Sequence, residues 1–329
     1  MPTAVPLPAD EAGLLDLLTE ARLAQAAPML SRWFSPDQLR ATLREDLHPE
    51  LERRSSDALA ALYRQHAPVE GVDHDSAYKN RILTVPPLGT ALVGIRFRGM
   101  DLARPFVTAA ATTRLPDEAG LTEAAALLRQ EFEAFRPRHL RLFVPAGVPI
   151  DLSALPPGSH WDHHLLAAPV TELRARPLPA FHARVQLQVP PDMGFYPQYV
   201  QAYEALFAAN PSHREFTHAE AEEDLEELRQ EGLVFEVRVD GAWAGVVAAC
   251  RSSEQGVSGF VVTEMFLDAA HRGQGLGPAV GRHLLDRLPA ESGDTLFGTI
   301  HHDNLPARRS AERGGRTDVG AFLWVAMPG

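Results

Sequence analysis

Cysteine is almost absent from this sequence, and long apolar runs are missing altogether. Cys250 is the single cysteine, so no disulfide can form within the chain. A lone cysteine at the end of a strand-like run is more often a small core residue than a nucleophile. No stretch is apolar for long enough to cross a bilayer, and no signal peptide with an apolar centre is found. We therefore expect a cytoplasmic protein.

Positive charge is also scarce, and Lys79 is the only lysine. The chain has 31 basic and 43 acidic residues, which gives a formal net charge of −12. This sign argues against nucleic acid or an anionic membrane surface as the main partner. A small cationic molecule fits better. The sequence leaves the oligomeric state open, a homodimer included.

The length of 329 residues favours two domains, each large enough to bury its own core. The best boundary is the proline-rich stretch Arg176-Pro177-Leu178-Pro179, which divides the chain into residues 1–178 and 179–329. Residues 1 to about 75 have helical spacing of leucines, and Ser35-Pro36-Asp37-Gln38 has the form of a helix start.

From Arg81 the spacing of apolar residues changes from a helical period to a strand period. The pattern predicts three strands, then a helix with Leu121 and Leu128 on its buried face, then a fourth strand. The predicted strands are 81–85, 91–98, 105–112 and 140–144.

The second half begins, after a strand-like run at 165–170, with a further alternation of strand and helix patterns. Thr217-His218-Ala219-Glu220 has the form of a capping box for a helix, and Asp240-Gly241 predicts a hairpin turn. The predicted order from residue 183 is β-α-α-β-β-β-α-β-α-β, with its strands at 183–189, 233–239, 243–249, 260–267, 294–302 and 321–326.

The most informative stretch is His271-Arg272-Gly273-Gln274-Gly275-Leu276-Gly277. It follows an apolar, β-branched run and precedes a helical pattern that includes Val280 and Leu284. Glycines between a strand and a helix let the main chain turn tightly, and the first N–H groups of the helix then face outward as an anion site. The stretch therefore predicts a cradle for a phosphate.

The spacing excludes two common phosphate loops. No Lys-Ser/Thr pair follows the last glycine, and the dinucleotide fingerprint needs another register. The stretch instead resembles the Arg/Gln-x-x-Gly-x-Gly/Ala signature of the GNAT acetyltransferase superfamily, with Arg272, Gly275 and Gly277 at the defining positions. Asn304-Leu305-Pro306-Ala307 resembles the Asn-x-x-Ala that opens the last helix in this family. The resemblance extends from about Phe181 to the C-terminus.

This resemblance implies an α/β protein with a mixed α+β sheet, in which the C-terminal half has the GNAT fold. It also implies an acyltransferase that moves an acyl group, usually acetyl, from acetyl-CoA as co-substrate to a primary amine, without a metal. The first half has the same order of strands and helix, so we expect a degenerate GNAT-like copy there; an unrelated α/β domain is the alternative. Its equivalent loop reads Pro116-Asp117-Glu118-Ala119-Gly120, where two carboxylates would repel a diphosphate.

In GNAT relatives the strand before the loop holds the pantetheine arm by main-chain contacts, and the loop holds the diphosphate. Arg272 could add a fixed positive charge, or it could be a solvated loop residue. Asn304 is expected to cap its helix and, in the family, also contacts the cofactor. The residues that the resemblance assigns to cofactor binding are Met265, Phe266, Leu267, Arg272, Gly273, Gln274, Gly275, Leu276, Gly277 and Asn304.

Three residues are candidates for catalysis. Glu264, on the strand that precedes the loop, is the first candidate for the base, because partial burial would raise its pKa; a structural pair with an arginine is the alternative. His301 could take or relay the proton of the amine, or it could be a hydrogen-bonded surface imidazole. Many relatives have a tyrosine seven residues after the asparagine as acid, but this chain has Ala311 there, so Ser310 or water would replace it.

The acceptor is less well defined. The segment after Thr217 is rich in Glu and Asp, which favours a small cationic or amino-sugar acceptor, although a solvated helix face explains most of these residues. Two other functions stay open. One is a tandem-GNAT enzyme similar to mycothiol synthase, and the other is a non-catalytic acyl-CoA-binding regulatory module.

Overall fold

A computed structural model describes residues 10–328 as a mixed α/β structure. The helices are α1 (Glu11–Gln25), α2 (Leu30–Trp33), α3 (Pro36–Ser55), α4 (Asp57–His66), α5 (Glu118–Glu131), α6 (Val170–Ala175), α7 (Tyr196–Ala209), α8 (Glu222–Gln230), α9 (Gly277–Arg287) and α10 (Leu305–Gly314). The strands are β1 (Arg81–Val85), β2 (Gly89–Phe97), β3 (Pro105–Thr112), β4 (His139–Pro145), β5 (His160–Pro169), β6 (Val185–Gln188), β7 (Val234–Val239), β8 (Ala242–Glu254), β9 (Val257–Leu267), β10 (Thr295–His301) and β11 (Thr317–Ala326). Within residues 10–328, no helix combines the length and the apolar character that a membrane span requires.

The chain forms two compact units. The first unit ends at His163 and also contains Glu254–Gly256 and the C-terminal segment from Val319. The second unit contains His164–Ser253 and Val257–Asp318. The division of the chain at residues 178 and 179 into two GNAT-like copies stays a prediction.

The strands of the first unit follow the order β1-β2-β3-β4-β11. The strands β1, β2 and β3 are antiparallel, β3 and β4 are parallel with α5 between them in the chain, and β11 is antiparallel to β4. The predicted three strands, helix and fourth strand are confirmed. Leu121 and Leu128 of α5 are buried in the core that these strands form.

In the first unit, the two parallel strands extend past their last registered pair, and helix α1 lies over this end. The pairing ends at Ala109 and Leu142, whereas β3 continues to Thr112. The side-chain amide of Gln25 in α1 donates a hydrogen bond to the Thr112 carbonyl at 2.8 Å. The cavity that remains there is about 40 Å³, which suits a water molecule or two.

The predicted acidic loop of this unit is the start of a helix. The carboxylate of Asp117 accepts a hydrogen bond from the Gly120 N–H at 3.0 Å and caps α5. Asp117 therefore occupies the backbone N–H group that a bound anion would need.

The second unit has the strand order β5-β10-β9-β8-β7-β6. Helix α9 packs on one face of this sheet, with Val280 and Leu284 in its core. Helices α7 and α8 pack on the other face with Val246 and Phe266. The sheet is therefore covered on both sides, and its two parallel strands β9 and β10 lie in the middle.

The registered pairing of β9 with β10 covers three residue pairs, from Gly259 with Thr295 to Val261 with Phe297. Beyond Val261, β9 runs on to Leu267, and beyond Phe297, β10 runs on to His301. At the paired end, Gly259 has a φ of +143°, and a Cβ there would clash with the Thr295 carbonyl. The two strands are therefore packed closely at the end that contains Gly259. At the opposite end they continue without pairing to each other.

The predicted order of elements in the second half is confirmed, with two corrections. The capping box at Thr217–Glu220 is wrong, because α8 begins at Glu222 and Ala221 provides no side-chain cap. The segment instead contacts α7, because the Glu220 N–H donates a hydrogen bond to the hydroxyl of Tyr199 at 2.8 Å. The second correction is that β11 joins the first unit, while β5 lies beside β10.

Substitution of Gly245 in β8 tests how β9 is held. Gly245 has a φ of +152°, and a Cβ would clash with the Phe266 carbonyl. We expect Gly245→Ala to lower the Tm by about 5 °C or more, because it adds backbone strain and pushes β8 from β9. Gly293→Ala is the control, since a Cβ there meets nothing within 4 Å. An equal Tm for both variants would contradict the close approach.

Candidate active site

The turn after β9 is built around Asp268. Its N–H donates to the Ala244 carbonyl at 2.8 Å, which ties the turn to β8. Its own carbonyl accepts from the N–H groups of His271 and Arg272, both at 3.1 Å, and its carboxylate is 2.6 Å from the His271 ring. This turn fixes the direction in which the glycine stretch leaves the strand.

The glycine stretch has the geometry of an anion cradle. Gly273 and Gly275 have φ angles of +74° and +76°, which glycine adopts without strain. The main-chain N–H groups of residues 273–277 make no hydrogen bond to any other described residue, and the first helical bond of α9 runs from the Val280 N–H to the Leu276 carbonyl at 3.0 Å. These N–H groups, at the positive end of α9, suit a diphosphate.

The side chain of Arg272 packs against the end of β9 and supports this loop. Its Nε donates to the Leu267 carbonyl at 2.6 Å, and its guanidinium lies 4.9 Å from the centre of the Phe266 ring. Burial lowers the pKa of Arg272. Its Nη2 is buried and has no hydrogen-bond partner among the described residues. A contact from Arg272 to phosphate stays a prediction, whereas its hydrogen bond to the Leu267 carbonyl ties it to the start of the loop.

Asn304 caps α10 as predicted. Its side-chain oxygen accepts a hydrogen bond from the Ala307 N–H at 3.3 Å. Gln274, in contrast, turns its side chain back, and its amide donates to the Ala270 carbonyl at 2.6 Å. Contacts of Asn304 and Gln274 with a cofactor stay predictions.

Glu264 is a buried carboxylate held by two tyrosines. Only 6% of the residue is exposed. The hydroxyls of Tyr199 and Tyr203 both donate to its Oε2, the second at 2.9 Å. Burial raises the pKa of Glu264 to about 7, although the two hydrogen bonds act in the opposite direction. A carboxyl group that titrates near neutrality can exchange a proton with an amine.

Tyr199 and Tyr203 are residues that the sequence analysis did not assign to the site. They lie one helical turn apart on α7, on the face that also carries buried Leu206 and Phe207. Desolvation raises the pKa of both hydroxyls, so both remain donors to Glu264 at neutral pH. The signal that could have found them is that a buried tyrosine hydroxyl needs a partner.

His301 lies at the end of β10 and is buried. Its ring stacks on Phe216 at 4.9 Å between ring centres, and its Nδ1 accepts from the Asp303 N–H at 3.2 Å. A neutral ring that accepts at Nδ1 carries its proton on Nε2. The neighbouring Thr217 hydroxyl is 3.5 Å from the hydroxyl of Tyr203. Segment 216–217 therefore connects His301 with the tyrosines that hold Glu264.

His302, the other histidine at this end of β10, belongs to a separate cluster. Its Nδ1 is 3.0 Å from Nε2 of His164, whose Nδ1 is 2.7 Å from the carboxylate of Asp318. Among residues 10–328, no group of His, Cys, Asp and Glu side chains has the arrangement of a metal site.

Ser310 and Ala311 lie on α10 beside the start of α9. A Cβ on Gly277 would clash with Oγ of Ser310, so the glycine allows the two helices to approach there. Ser310, Gly277 and Met265 line one cavity of about 240 Å³. Ala311 also lines this cavity, at the position where many GNAT relatives have a tyrosine.

The structure thus separates the predicted residues into two groups. Met265, Gly277 and Ser310 line the cavity on the side of α9 and α10. Glu264 and Phe266 lie in the packing of α7 on the other face, with Phe266 stacked on Tyr203 at 4.3 Å. Contacts of the main chain at Phe266 and Leu267 with a cofactor stay a prediction.

The acidic segment is mostly a solvated helix face. In α8, Leu225 is fully buried, whereas Glu222 and Glu223 are exposed. Glu226 is ion-paired with Arg229 at 2.6 Å. Glu220, which precedes α8, differs because burial raises its pKa.

The raised pKa of Glu264 predicts a dependence of stability on pH. A Glu titrates at 4.5 when it is solvated and here at about 7. Between these values the unfolded chain releases a proton that the folded chain keeps, so stability from the neutral carboxyl is present below pH 4.5 and lost as pH rises through 7. We expect Glu264→Gln to gain up to about 3 kcal/mol over the wild type between pH 4.5 and 8, measured by denaturant unfolding. A constant difference would contradict the raised pKa.

The comparisons with known proteins agree with this geometry. Residues 199–315 match the sequence model of the acetyltransferase (GNAT) family. A search of the curated proteins found no match. A GCN5-related N-acetyltransferase from Sphaerobacter thermophilus is similar in fold, with a TM-score of 0.53, 14% identity, and coverage of 95% of this chain and 94% of that chain.

Two further structures are similar over most of their length, with lower scores. A GCN5-related N-acetyltransferase from Kribbella flavida has a TM-score of 0.42 and 17% identity, and the alignment covers 84% of this chain and 96% of that one. A tandem GNAT protein from the clavulanic acid biosynthesis pathway has a TM-score of 0.44 and 13% identity, with 99% and 98% covered. The matched residues contain the strand β9, the glycine loop and the Asn304 cap, so the C-terminal half of this chain contains a domain of the GNAT acetyltransferase family.

Proposed function

We infer that this protein is an acyl-CoA-dependent N-acyltransferase that transfers an acyl group, in the simplest case acetyl from acetyl-CoA, to a primary amine by direct attack. The observation that carries this proposal is the arrangement along β9. A buried carboxylate of raised pKa, Glu264, lies on the strand that leads directly into a loop with uncommitted N–H groups. A base and an anion cradle on one strand are what the reaction needs.

The cradle would hold the diphosphate of the co-substrate. The N–H groups of residues 273–277 supply hydrogen-bond donors there, and the main chain of Met265–Leu267 would hold the pantetheine arm, as in the family. Acetyl-CoA supplies a thioester whose carbonyl carbon is open to attack by an amine. Because these main-chain donors are fixed and would bind the co-substrate, the side chains are left to carry out the proton transfers.

Glu264 would take the proton from the attacking amine. The nitrogen forms a bond to the carbonyl carbon as the carbon–sulfur bond breaks, and the proton of the amine passes to the Glu264 carboxylate. The leaving sulfur takes a proton from Ser310 or from water. Since a thiol has a pKa of about 8.5, it leaves tolerably well without a strong acid, which fits Ala311 in the place of a tyrosine.

His301 would act beside Glu264 as a relay. Its Nε2 would carry the proton when the ring is neutral, because Nδ1 accepts from the Asp303 N–H. Phe216 stacks on the ring and holds its plane. A ring fixed in this way can pass the proton of the amine towards solvent after the transfer.

The acceptor we propose is a small cationic amine or an amino sugar. The acidic residues of segment 220–224 lie beside the tyrosines that hold Glu264, since the Glu220 N–H contacts Tyr199. A negative field on this side would concentrate a cationic acceptor. The repeated order of strands in the two units favours, as a variant, a tandem enzyme similar to mycothiol synthase. Ala311 supports the other candidate, an acyl-CoA-binding regulatory module.

Replacing the proposed base should change both the rate and its pH profile. In the wild type, we expect kcat/KM to rise with pH and to level off above about 7, because Glu264 acts as a base only when deprotonated. Glu264→Gln should lower kcat/KM by about 10²–10⁴-fold and abolish this rise. Glu236→Gln is the control, because this carboxylate on β7 is also mostly buried, with 14% of its side chain exposed, and the variant should stay within about twofold. An unchanged profile in Glu264→Gln would remove it as the base.

Release of free thiol distinguishes an enzyme from a sensor. We expect the full chain, with acetyl-CoA and a panel of cationic amines and amino sugars, to release coenzyme A steadily with at least one amine. Calorimetry with acetyl-CoA alone should detect binding. Tight binding without release on any amine would favour the regulatory module, and the absence of both would contradict the proposed function.

A further inference from the structure

The cavity between α9 and α10 has a volume of about 240 Å³. This volume is close to the lower end of small-molecule pockets, at about 300 Å³. Small residues open it, since Gly277 and Gly281 line it from α9 and Ala311 and Gly314 from α10. All its lining residues belong to the second unit.

The charge of this cavity is entirely positive. Four arginines line it, Arg176, Arg282, Arg313 and Arg316, and its lining contains no aspartate or glutamate. Arg282 is already engaged, because its guanidinium pairs with Asp286 at 3.1 Å and also donates to two main-chain carbonyls. Arg176 and Arg313 are exposed, so water solvates them.

Arg316 is different, because protein surrounds its guanidinium and offers it no partner. Among residues 10–328, its side chain makes no hydrogen bond and no ion pair. Burial lowers its pKa to about 10, and no acidic neighbour opposes this effect. The side chain keeps some accessible surface because it faces the cavity. It is therefore still a cation at neutral pH, and an unpaired one.

The position of Arg316 connects it to the proposed acyl site. Its Nη1 is 3.3 Å from where a Cβ on Gly298 would lie, and that point is 3.5 Å from the Val262 carbonyl. Gly298 and Val262 directly follow Phe297 and Val261, the last registered pair of β10 and β9. The guanidinium thus lies where the two strands cease to pair, at the inner end of the gap between them.

We propose that this cavity selects an acyl-CoA whose acyl chain ends in a carboxylate, and that Arg316 binds that carboxylate. The proposal rests on the proposed function, since it assigns the donor of the same reaction. A guanidinium matches a carboxylate in a bidentate pair, and such a pair is strong where water is excluded. Ala311 provides the room for the longer chain, because a tyrosine at that position would fill the cavity.

The test compares the binding of three ligands, succinyl-CoA, acetyl-CoA and free coenzyme A, by calorimetry to the full-length protein. We expect the wild type to bind succinyl-CoA at least about tenfold more tightly than acetyl-CoA. Arg316→Gln should remove this preference without lowering the affinity for acetyl-CoA. Arg316→Lys, which keeps the charge but cannot form the bidentate pair, should retain part of the preference. Arg309→Gln, an exposed arginine on α10, the helix that precedes Arg316, is the matched control and should leave the preference unchanged.

Each outcome has one meaning. Equal affinity of the wild type for succinyl-CoA and acetyl-CoA would overturn the proposal while leaving the acyltransferase intact. An equal loss of affinity for all three ligands in Arg316→Gln would also overturn it, because the arginine would then bind a phosphate of coenzyme A itself. Failure of all three to bind the wild type would overturn the proposed function as well. The Tm of Arg316→Gln should not fall, since an unpaired buried cation does not stabilise the fold.

Discussion

The separation of two parallel strands is the constraint on which the second unit depends. Strands β9 and β10 are in register for three residue pairs, and both then continue without pairing to each other. Gly259 lets the paired end close tightly, because any Cβ there would clash with β10. The strand ends beyond the pairs carry Glu264 and His301, and the loop after β9 presents its N–H groups at the same end. The positions of Glu264, His301 and the glycine loop follow from this divergence.

Two ionisable side chains of this unit, Glu264 and Arg316, are removed from bulk water, and they respond differently. Glu264 is buried with two hydroxyl donors, and its pKa rises to about 7 because the cost of desolvation exceeds the gain from these hydrogen bonds. Arg316 is largely enclosed and has no partner among residues 10–328, and it stays charged because a guanidinium holds its proton firmly. A buried group that titrates suits proton transfer, whereas a buried group that stays charged suits the binding of an anion. The two groups therefore point to different tasks.

The two units share an arrangement of strands, but the end of the parallel strand pair is covered in the first unit and leads into a glycine loop in the second. Each contains antiparallel strands followed by a parallel crossover through one helix, α5 in the first unit and α9 in the second. In the first unit, α1 lies over the end of the parallel pair through Gln25, and Asp117 caps the helix that follows. In the second unit, glycines with positive φ take the place of that acidic cap. The difference arises from a few residues at the end of one strand.

The sequence by itself determined the local structure of this protein. The Asn304 cap and the periods of strands and helices follow from residues that are neighbours in the chain, and local backbone preferences are enough to predict them. The family was predicted from the resemblance of the glycine stretch to a known signature. The capping box at Thr217 was wrong because tertiary contacts of Tyr199 and Tyr203 use that segment. Only the tertiary structure decided that these tyrosines meet Glu264, that β11 joins the first unit, and that Arg316 faces the cavity with no partner among the described residues. Such contacts join residues far apart in the chain, and their energies depend on burial, which no local pattern specifies.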